Sequence, residues 1–197
     1  IFFADQTKVY DRTTNVLPVA VPAVSISGLL PGSVVTASGS SASYDNKNVG
    51  TNKTVTINGL TFRGKDALNY IFPTTVKNYN SSITPLPITN TNAIINFAPQ
   101  TKVYDGTTVV KANGVATIPA ITISGLPFGD VVTATASTAS YDNKNVKVTQ
   151  DTNGKIKTIT LSGIQYGGVS KENYLLPSSI QNDQCVILPL DLTNSNE

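Results

Sequence analysis

The chain has 197 residues, 40% hydrophobic and only 13% charged, with a formal net charge of +2, no His, Met or Trp, and a single Cys. Without His there is no Ser-His-Asp or Cys-His arrangement and no imidazole metal ligand, and one Cys excludes an intramolecular disulfide, a CxxC pair and a thiolate zinc cluster. The small, scattered positive charge gives no reason to expect nucleic acid or an anionic membrane as partner, and no apolar stretch approaches the roughly 20 residues of a membrane helix.

Chain order is dominated by self-similarity, the signature of a repeat. Gln6-Thr7-Lys8-Val9-Tyr10-Asp11-Arg12-Thr13-Thr14 recurs as Gln100-Thr101-Lys102-Val103-Tyr104-Asp105-Gly106-Thr107-Thr108, an offset of 94. Val24-Ser25-Ile26-Ser27-Gly28-Leu29 returns at Ile121 to Leu126, and Ala42-Ser43-Tyr44-Asp45-Asn46-Lys47-Asn48-Val49 returns unchanged at Ala139 to Val146, both at 97. From Thr54-Val55-Thr56-Ile57 onward the offset is 104, through Asn69-Tyr70 against Asn173-Tyr174 and Pro85-Leu86 against Pro189-Leu190. The jumps place three extra residues of the second copy opposite 15–24 and seven opposite 49–54, the latter within Lys147 to Lys157. The chain thus reads as domain 1 over 1–89, a connection over 90–94, domain 2 over 95–193 and a tail over 194–197. Each domain is large enough for its own core, and so short a connection predicts an extended, semi-rigid pair. Ile1-Phe2-Phe3 is too short for a signal peptide, so the chain reads as a segment of something longer.

Within each copy the pattern is β. Ser25-Ile26-Ser27, Val35-Thr36-Ala37-Ser38 and Thr54-Val55-Thr56-Ile57-Asn58 alternate apolar and polar residues at period 2. Ile121-Thr122-Ile123-Ser124, Val132-Thr133-Ala134-Thr135 and Ile159-Thr160-Leu161-Ser162 do the same in the second copy. With 26 Thr, 19 Asn and 17 Ser, the exposed faces are expected to be covered by short polar groups. Turns are marked by Gly28 to Gly32, Asn58-Gly59, Gly125 to Gly129 and Asn153-Gly154. The best helical window, Lys65-Asp66-Ala67-Leu68, is one turn long. The predicted fold class is all-β: two tandem β-sandwich or Ig-like domains of six or seven strands, or a β-grasp variant with one short helix if 65–70 is helical.

The motif at 102–108, and its variant at 8–14, resembles the YDG-type repeat of large bacterial surface adhesins of the filamentous-haemagglutinin kind. Asp45-Asn46-Lys47-Asn48-Val49-Gly50, with Asp142 to Val146, resembles that family's Asp-Lys-Asn-Val-Gly element. Gly64-Lys65-Asp66-Ala67-Leu68-Asn69-Tyr70 resembles its Gly-x-Asp-Ala-x-Asn-Tyr element, and Ile83-Thr84-Pro85 its closing strand. Arg12 departs from the motif glycine, at a turn where positive φ would favour Gly. Ser170-Lys171-Glu172-Asn173-Tyr174 and Leu188-Pro189 are further departures. The resemblance implies an extracellular β-domain that forms stalk or fibre, with no catalytic residues to carry over.

Tyrosines at matching positions (Tyr10/Tyr104, Tyr44/Tyr141, Tyr70/Tyr174) are expected to pack with their hydroxyls on backbone, although exposed ones could stack on sugars. Asp11 and Asp105 read as Asx-turn residues. Asp45, Asp142, Asp151 and Asn153 are the calcium candidates; tight exposed turns are the simpler reading, since calcium takes six to eight oxygens. Asp151-Thr152-Asn153-Gly154 is expected to close a hairpin between Lys147-Val148-Thr149 and Ile156-Lys157-Thr158. A spontaneous Lys–Asn amide would need a buried Lys, an amide and an acid, and Lys8/Lys102 with Asp11/Asp105 do not assemble that set in sequence. Cys185, with Ser81 at its place in copy one, is expected to be a small buried hydrophobe.

The function expected from these residues is a non-catalytic stalk or fibre segment of a secreted bacterial surface adhesin, extending a binding region away from the cell. It needs no cofactor, calcium being the one candidate. Partners would be neighbouring repeats of a parent protein, with no nucleic acid and no membrane insertion, and a monomer is expected. The alternative is a module binding glycan or a host surface protein, through loops bearing Tyr79 or Phe128, or by β-augmentation on an edge strand such as Ile83 to Thr89.

Overall fold

The computed structural model describes residues 1–16, 21–88 and 94–192, so 90–93 of the connection and the tail 194–197 lie outside the described residues. Ile94, the last residue assigned to the connection, opens a strand. The first copy contains β1 (Thr7–Val9), β2 (Thr36–Ser38), β3 (Ser41–Tyr44), β4 (Gly50–Asn58), β5 (Thr61–Arg63), β6 (Thr75–Thr84) and β7 (Leu86–Pro87). The second contains β8 (Ile94–Phe97), β9 (Thr101–Val103), β10 (Lys111–Ala112), β11 (Val115–Ala116), β12 (Ile121–Ser124) and β13 (Thr133–Thr135). It continues with β14 (Thr138–Tyr141), β15 (Lys157–Ser162), β16 (Gln165–Gly167), β17 (Tyr174–Leu175) and β18 (Ser179–Leu188). The fold is all-β. By contacts the chain divides into two compact units, Ile1–Leu86 with Glu172–Tyr174, and Pro87–Lys171 with Leu175–Glu197.

Each unit is built on a mixed four-stranded sheet, ordered β1-β6-β4-β3 in the first and β14-β15-β18-β9 in the second. β6 runs antiparallel to β4 and parallel to β1, with Thr7, Lys8 and Val9 opposite Ser82, Ile83 and Thr84. β18 runs antiparallel to β15 and parallel to β9, with Thr101, Lys102 and Val103 opposite Val186, Ile187 and Leu188. Ile83, expected to open an exposed edge running to Thr89, instead lies on an inner strand, opposite Lys8 on one flank and Gly50 on the other, so a partner strand could not add at Ile83. Thr89 lies outside the described residues.

In the second unit a further layer is formed by β8 antiparallel to β12, paired from Phe97–Ile121 to Ile94–Ser124. Phe97 from this layer meets Tyr141, Ile159, Leu161, Cys185 and Ile187 from the sheet in one buried cluster. Burying each large aliphatic side chain contributes about 1.5–3 kcal/mol. Among the described residues of the first unit, the corresponding layer is represented by isolated bridges, Phe2–Ser25 and Val24–Ala37. The strand expected at Ser25-Ile26-Ser27 does not form, whereas its counterpart β12 does. Ser25 stands where β12 has Thr122, and serine lacks the β-branch that suits a pleated surface.

The helical window becomes a single 3₁₀ turn, Ala67–Asn69. Asp66 does not cap it; its Oδ2 accepts instead from the Val34 amide at 2.7 Å. Tyr70 follows in extended backbone, its hydroxyl accepting from the Leu30 amide at 3.0 Å. Both ends are tied to the 30–34 loop, so no helix propagates and the β-grasp alternative is set aside.

The two insertions behave differently. In the interval of the shorter one, β10 and β11 form a hairpin closed by Asn113 (φ 50°) and Gly114 (φ 80°), the left-handed pair of a type I′ turn. The longer one does not form the expected hairpin. Lys147 bridges to Ile187 and Lys157 pairs with Cys185, so both arms bond to β18 rather than to each other. Between them Asp151 organises the loop: its Oδ1 accepts from the Asn153 and Lys155 amides at 2.9 and 3.0 Å.

Candidate functional site

The strand alternation that buries apolar side chains also buries lysines. The inward residues of β15 are Lys157, Ile159 and Leu161, and those of β4 are Lys53, Val55 and Ile57. Both lysines sit where the register shifts against the neighbouring strand, a bulge that re-aims the side chain. In β1 and β9 the usual pattern is inverted. Lys8 and Lys102 are buried while Val9 and Val103 are 46% and 47% exposed. A buried ammonium is tolerated only where its donors find acceptors, and each copy supplies two sets.

The first set comes from the Tyr-Asp motif. Lys102 Nζ donates to Asp105 Oδ1 (2.8 Å), the Thr107 carbonyl (2.7 Å) and the Val109 carbonyl (3.0 Å). Asp105 Oδ1 also accepts from the Thr107 amide and hydroxyl, closing the Asx turn, and its Oδ2 pairs with Lys111 at 2.8 Å. Lys8 repeats this with Asp11 Oδ1 and the Thr13 carbonyl, both at 2.7 Å. Each ammonium lies 5.4 Å from a tyrosine ring centroid, Tyr44 or Tyr141. The hydrogen bond from Lys102, then that from Lys111, hold Asp105 far below the ordinary carboxylate range. Burial alone would raise Asp11, but hydrogen bonds from Lys8 and Thr13 outweigh it and hold the carboxyl low.

The second set comes from the Asp-Asn-Lys-Asn turn. Lys157 Nζ lies 2.6 Å from Asp142 Oδ1 and 2.6 Å from Asn143 Oδ1. Lys53 Nζ lies 3.0 Å from Asp45 Oδ1 and 2.5 Å from Asn46 Oδ1. The same oxygens cap the turn: Asp142 accepts from the Asn143 amide, and Asn143 from the Asn145 amide. Burial again pushes Asp45 up, and Lys53 with the Asn46 amide more than reverses it.

The calcium candidates are therefore occupied by the chain itself: Asp45 and Asp142 by buried lysines, Asp151 by two amides and by Lys147 at 3.3 Å. Asn153 contributes its amide to Asp151. Among the described residues no group of three His, Cys, Asp or Glu is placed to hold a metal.

The paired tyrosines behave as packing groups. Tyr44 and Tyr141 are each 3% exposed, and their hydroxyls donate to the Ser82 and Val186 carbonyls at 3.2 Å. Burial pushes the Tyr141 hydroxyl up to about 12. Tyr79 and Phe128, by contrast, are 61% and 94% exposed. Cys185 does more than fill space. Its Sγ accepts from the Gln100 amide at 3.4 Å, as Ser81 Oγ accepts from the Gln6 amide at 3.1 Å, and burial raises the thiol.

Sequence reasoning found Asp11/Asp105, the polar turn and the tyrosines, and it missed Lys53 and Lys157. The signal was present: both lie at the offset of 104 and two residues before an inward apolar position.

The YDG domain matches residues 3–77 and 84–181, most of both copies. The chain belongs to the YDG domain family. No curated protein and no solved structure matches it. The YDG letters have a physical reading in the second copy: Tyr104 packs against the core, Asp105 holds the buried ammonium, and Gly106 takes φ 75° so that Thr107 can turn back onto both. In the first YDG copy Arg12 adopts φ 67° at the same place, so the left-handed turn survives the loss of glycine. Such a conformation costs a non-glycine residue roughly 1–2 kcal/mol, and the Lys8–Asp11 contact keeps the turn closed.

Proposed function

We propose that the chain is a non-catalytic segment of a bacterial surface adhesin, exported to the cell surface, whose YDG repeats act as links that carry tension in a stalk. The observation behind this reading is the parallel pairing of β1 with β6 and of β9 with β18. Force entering a copy at the start of its first sheet strand and leaving at the end of its last pulls the two along each other. All their hydrogen bonds must then fail together, whereas a hairpin opened from its end loses them one at a time. The buried lysines reinforce the joint, since Lys8 and Lys102 sit on the sheared strands and bond to the turns that follow. Short polar side chains and a single, buried thiol suit an oxidising exterior.

The test is single-molecule stretching of the two-repeat chain. Unfolding end to end is expected at several-fold higher force than when a repeat is pulled through handles at Ser41 and Asn58, which peel β3 from β4. Equal forces in the two geometries would remove the tension-bearing reading.

A binding role is favoured by one feature, a cleft of about 460 Å³ in the second repeat, lined by Tyr104, Asp105, Lys111, Asn113 and Leu190 among others. The β10–β11 hairpin forms one wall. Its mixture of ring face, hydrogen-bonding groups and apolar surface suits a sugar, and a glycan array with Tyr104→Ala as control tests it.

A further inference from the structure

The turn clusters contain reactants as well as an ion pair. Lys157, 2% exposed, touches the side-chain amide of Asn143 and the carboxylate of Asp142 at once, each at 2.6 Å. The first repeat presents the same three groups, Lys53 at 2.5 Å from Asn46 and 3.0 Å from Asp45. In each case an amine is held, with little water around it, within hydrogen-bond distance of a carboxamide, and an acid adjoins the amine. Holding reactants in contact is worth many orders of magnitude in effective concentration. The motif lysines offer an internal contrast. The acceptors of Lys8 and Lys102 are carboxylate, hydroxyl and backbone carbonyl oxygens, not a side-chain carboxamide that could release ammonia.

We propose that Lys53–Asn46 and Lys157–Asn143 are sites of spontaneous intramolecular amide formation. The Asp carboxylate takes a proton from the ammonium, freeing the Nζ lone pair to attack Asn Cγ. The C=O electrons move to Oδ1, and the Asp carboxylic acid returns its proton to Nδ2. The Cγ–Nδ2 bond breaks as the carbonyl re-forms, and Nζ sheds its second proton to the departing nitrogen. One ammonium is released for each amide, and no oxidant or other reactant is required. In the second repeat the bond would tie the start of β15 to the turn after β14 across the inserted loop. These contacts alone carry the amide, which stands or falls apart from the stalk reading.

The test is the intact mass of the full chain, measured after denaturation, together with a proteolytic map. Two amides are expected to place it about 34 Da below the sequence mass, about 17 Da for each ammonia lost. Lys53→Arg and Lys157→Arg are each expected to abolish one such deficit while keeping a cation for the turn, and the double variant to show none. The control matters because Asn58-Gly59, Asn113-Gly114 and Asn153-Gly154 can also lose ammonia, by attack of the backbone nitrogen on the side chain. A deficit that the double variant retains in full belongs to those sites and overturns the proposal. So does a wild-type mass equal to that of the sequence. The digest needs no variant: a branched peptide joining Lys157 to Asn143 supports the proposal, and separate linear peptides overturn it.

Discussion

The two repeats differ in one apolar layer and in two insertions, and least around their buried lysines. The second has a strand pair, β8 with β12, over its sheet, and the described residues of the first have only isolated bridges there. The second carries the β10–β11 hairpin and a long Asp151 loop, and begins its central strand at Lys157 rather than at Gly50. Yet four lysines are buried at matching positions, with Asp11/Asp105, Asp45/Asp142 and Asn46/Asn143 as their acceptors. Even the support beneath differs only in one atom type, Ser81 Oγ against Cys185 Sγ. Apolar layers can be filled by many side chains of about the right size. A buried ammonium has few satisfactory surroundings, so the lysines and their turns recur where the layer around them varies.

The motif aspartates are where the two repeats can be set apart most sharply. Asp11→Ala leaves the buried Lys8 ammonium without its carboxylate and is expected to destabilise the first repeat by about 3 kcal/mol, the scale for stripping a buried charge of its partner. Asp105→Ala should cost the second repeat more, because Asp105 holds Lys111 as well as Lys102. Urea unfolding of each variant measures both, and equal losses would show that the Lys111 pair contributes nothing.

Acid acts on both repeats together. Asp11, Asp45, Asp105 and Asp151 are all held below their ordinary values in the folded chain. Their stabilisation is therefore complete above the unfolded carboxylate value of about 4 and is lost as pH falls through the lower folded values. The urea midpoint should be flat from about pH 7 to 5 and fall steeply below about 4. A midpoint unchanged at about pH 3 would contradict the role given to these carboxylates.

Smaller effects sharpen the contrast at the turn. A Cβ at Gly106 would meet open space, so Gly106→Ala reports backbone strain alone, at about 1 kcal/mol. Cys185→Ser exchanges the sulfur for the oxygen that the first repeat already uses, and should shift stability by less than about 1 kcal/mol. Smallest of all, millimolar calcium followed by chelator should move the melting temperature by no more than about one degree, since Asp45, Asp142 and Asp151 already serve the chain's own cations and amides. A shift of many degrees would restore them as metal ligands.

The sequence by itself determined the duplication, the all-β class and the polar turns, because strand periodicity and turn chemistry are local. It also showed which residues recur, Lys8/Lys102 with Asp11/Asp105 among them. Which of those face the core was decided only in three dimensions. The apolar Val9 and Val103 lie outward, because pairing with the parallel partner strand turns Lys8 and Lys102 toward the tyrosine rings. Ile83 read as an edge and lies within the sheet, because β1 covers its open side from 75 residues away. Lys53 and Lys157 read as nothing in particular. They meet Asn46 and Asn143 only because a bulge in one strand aims them at a turn that leaves another, a meeting of segments that no local pattern encodes.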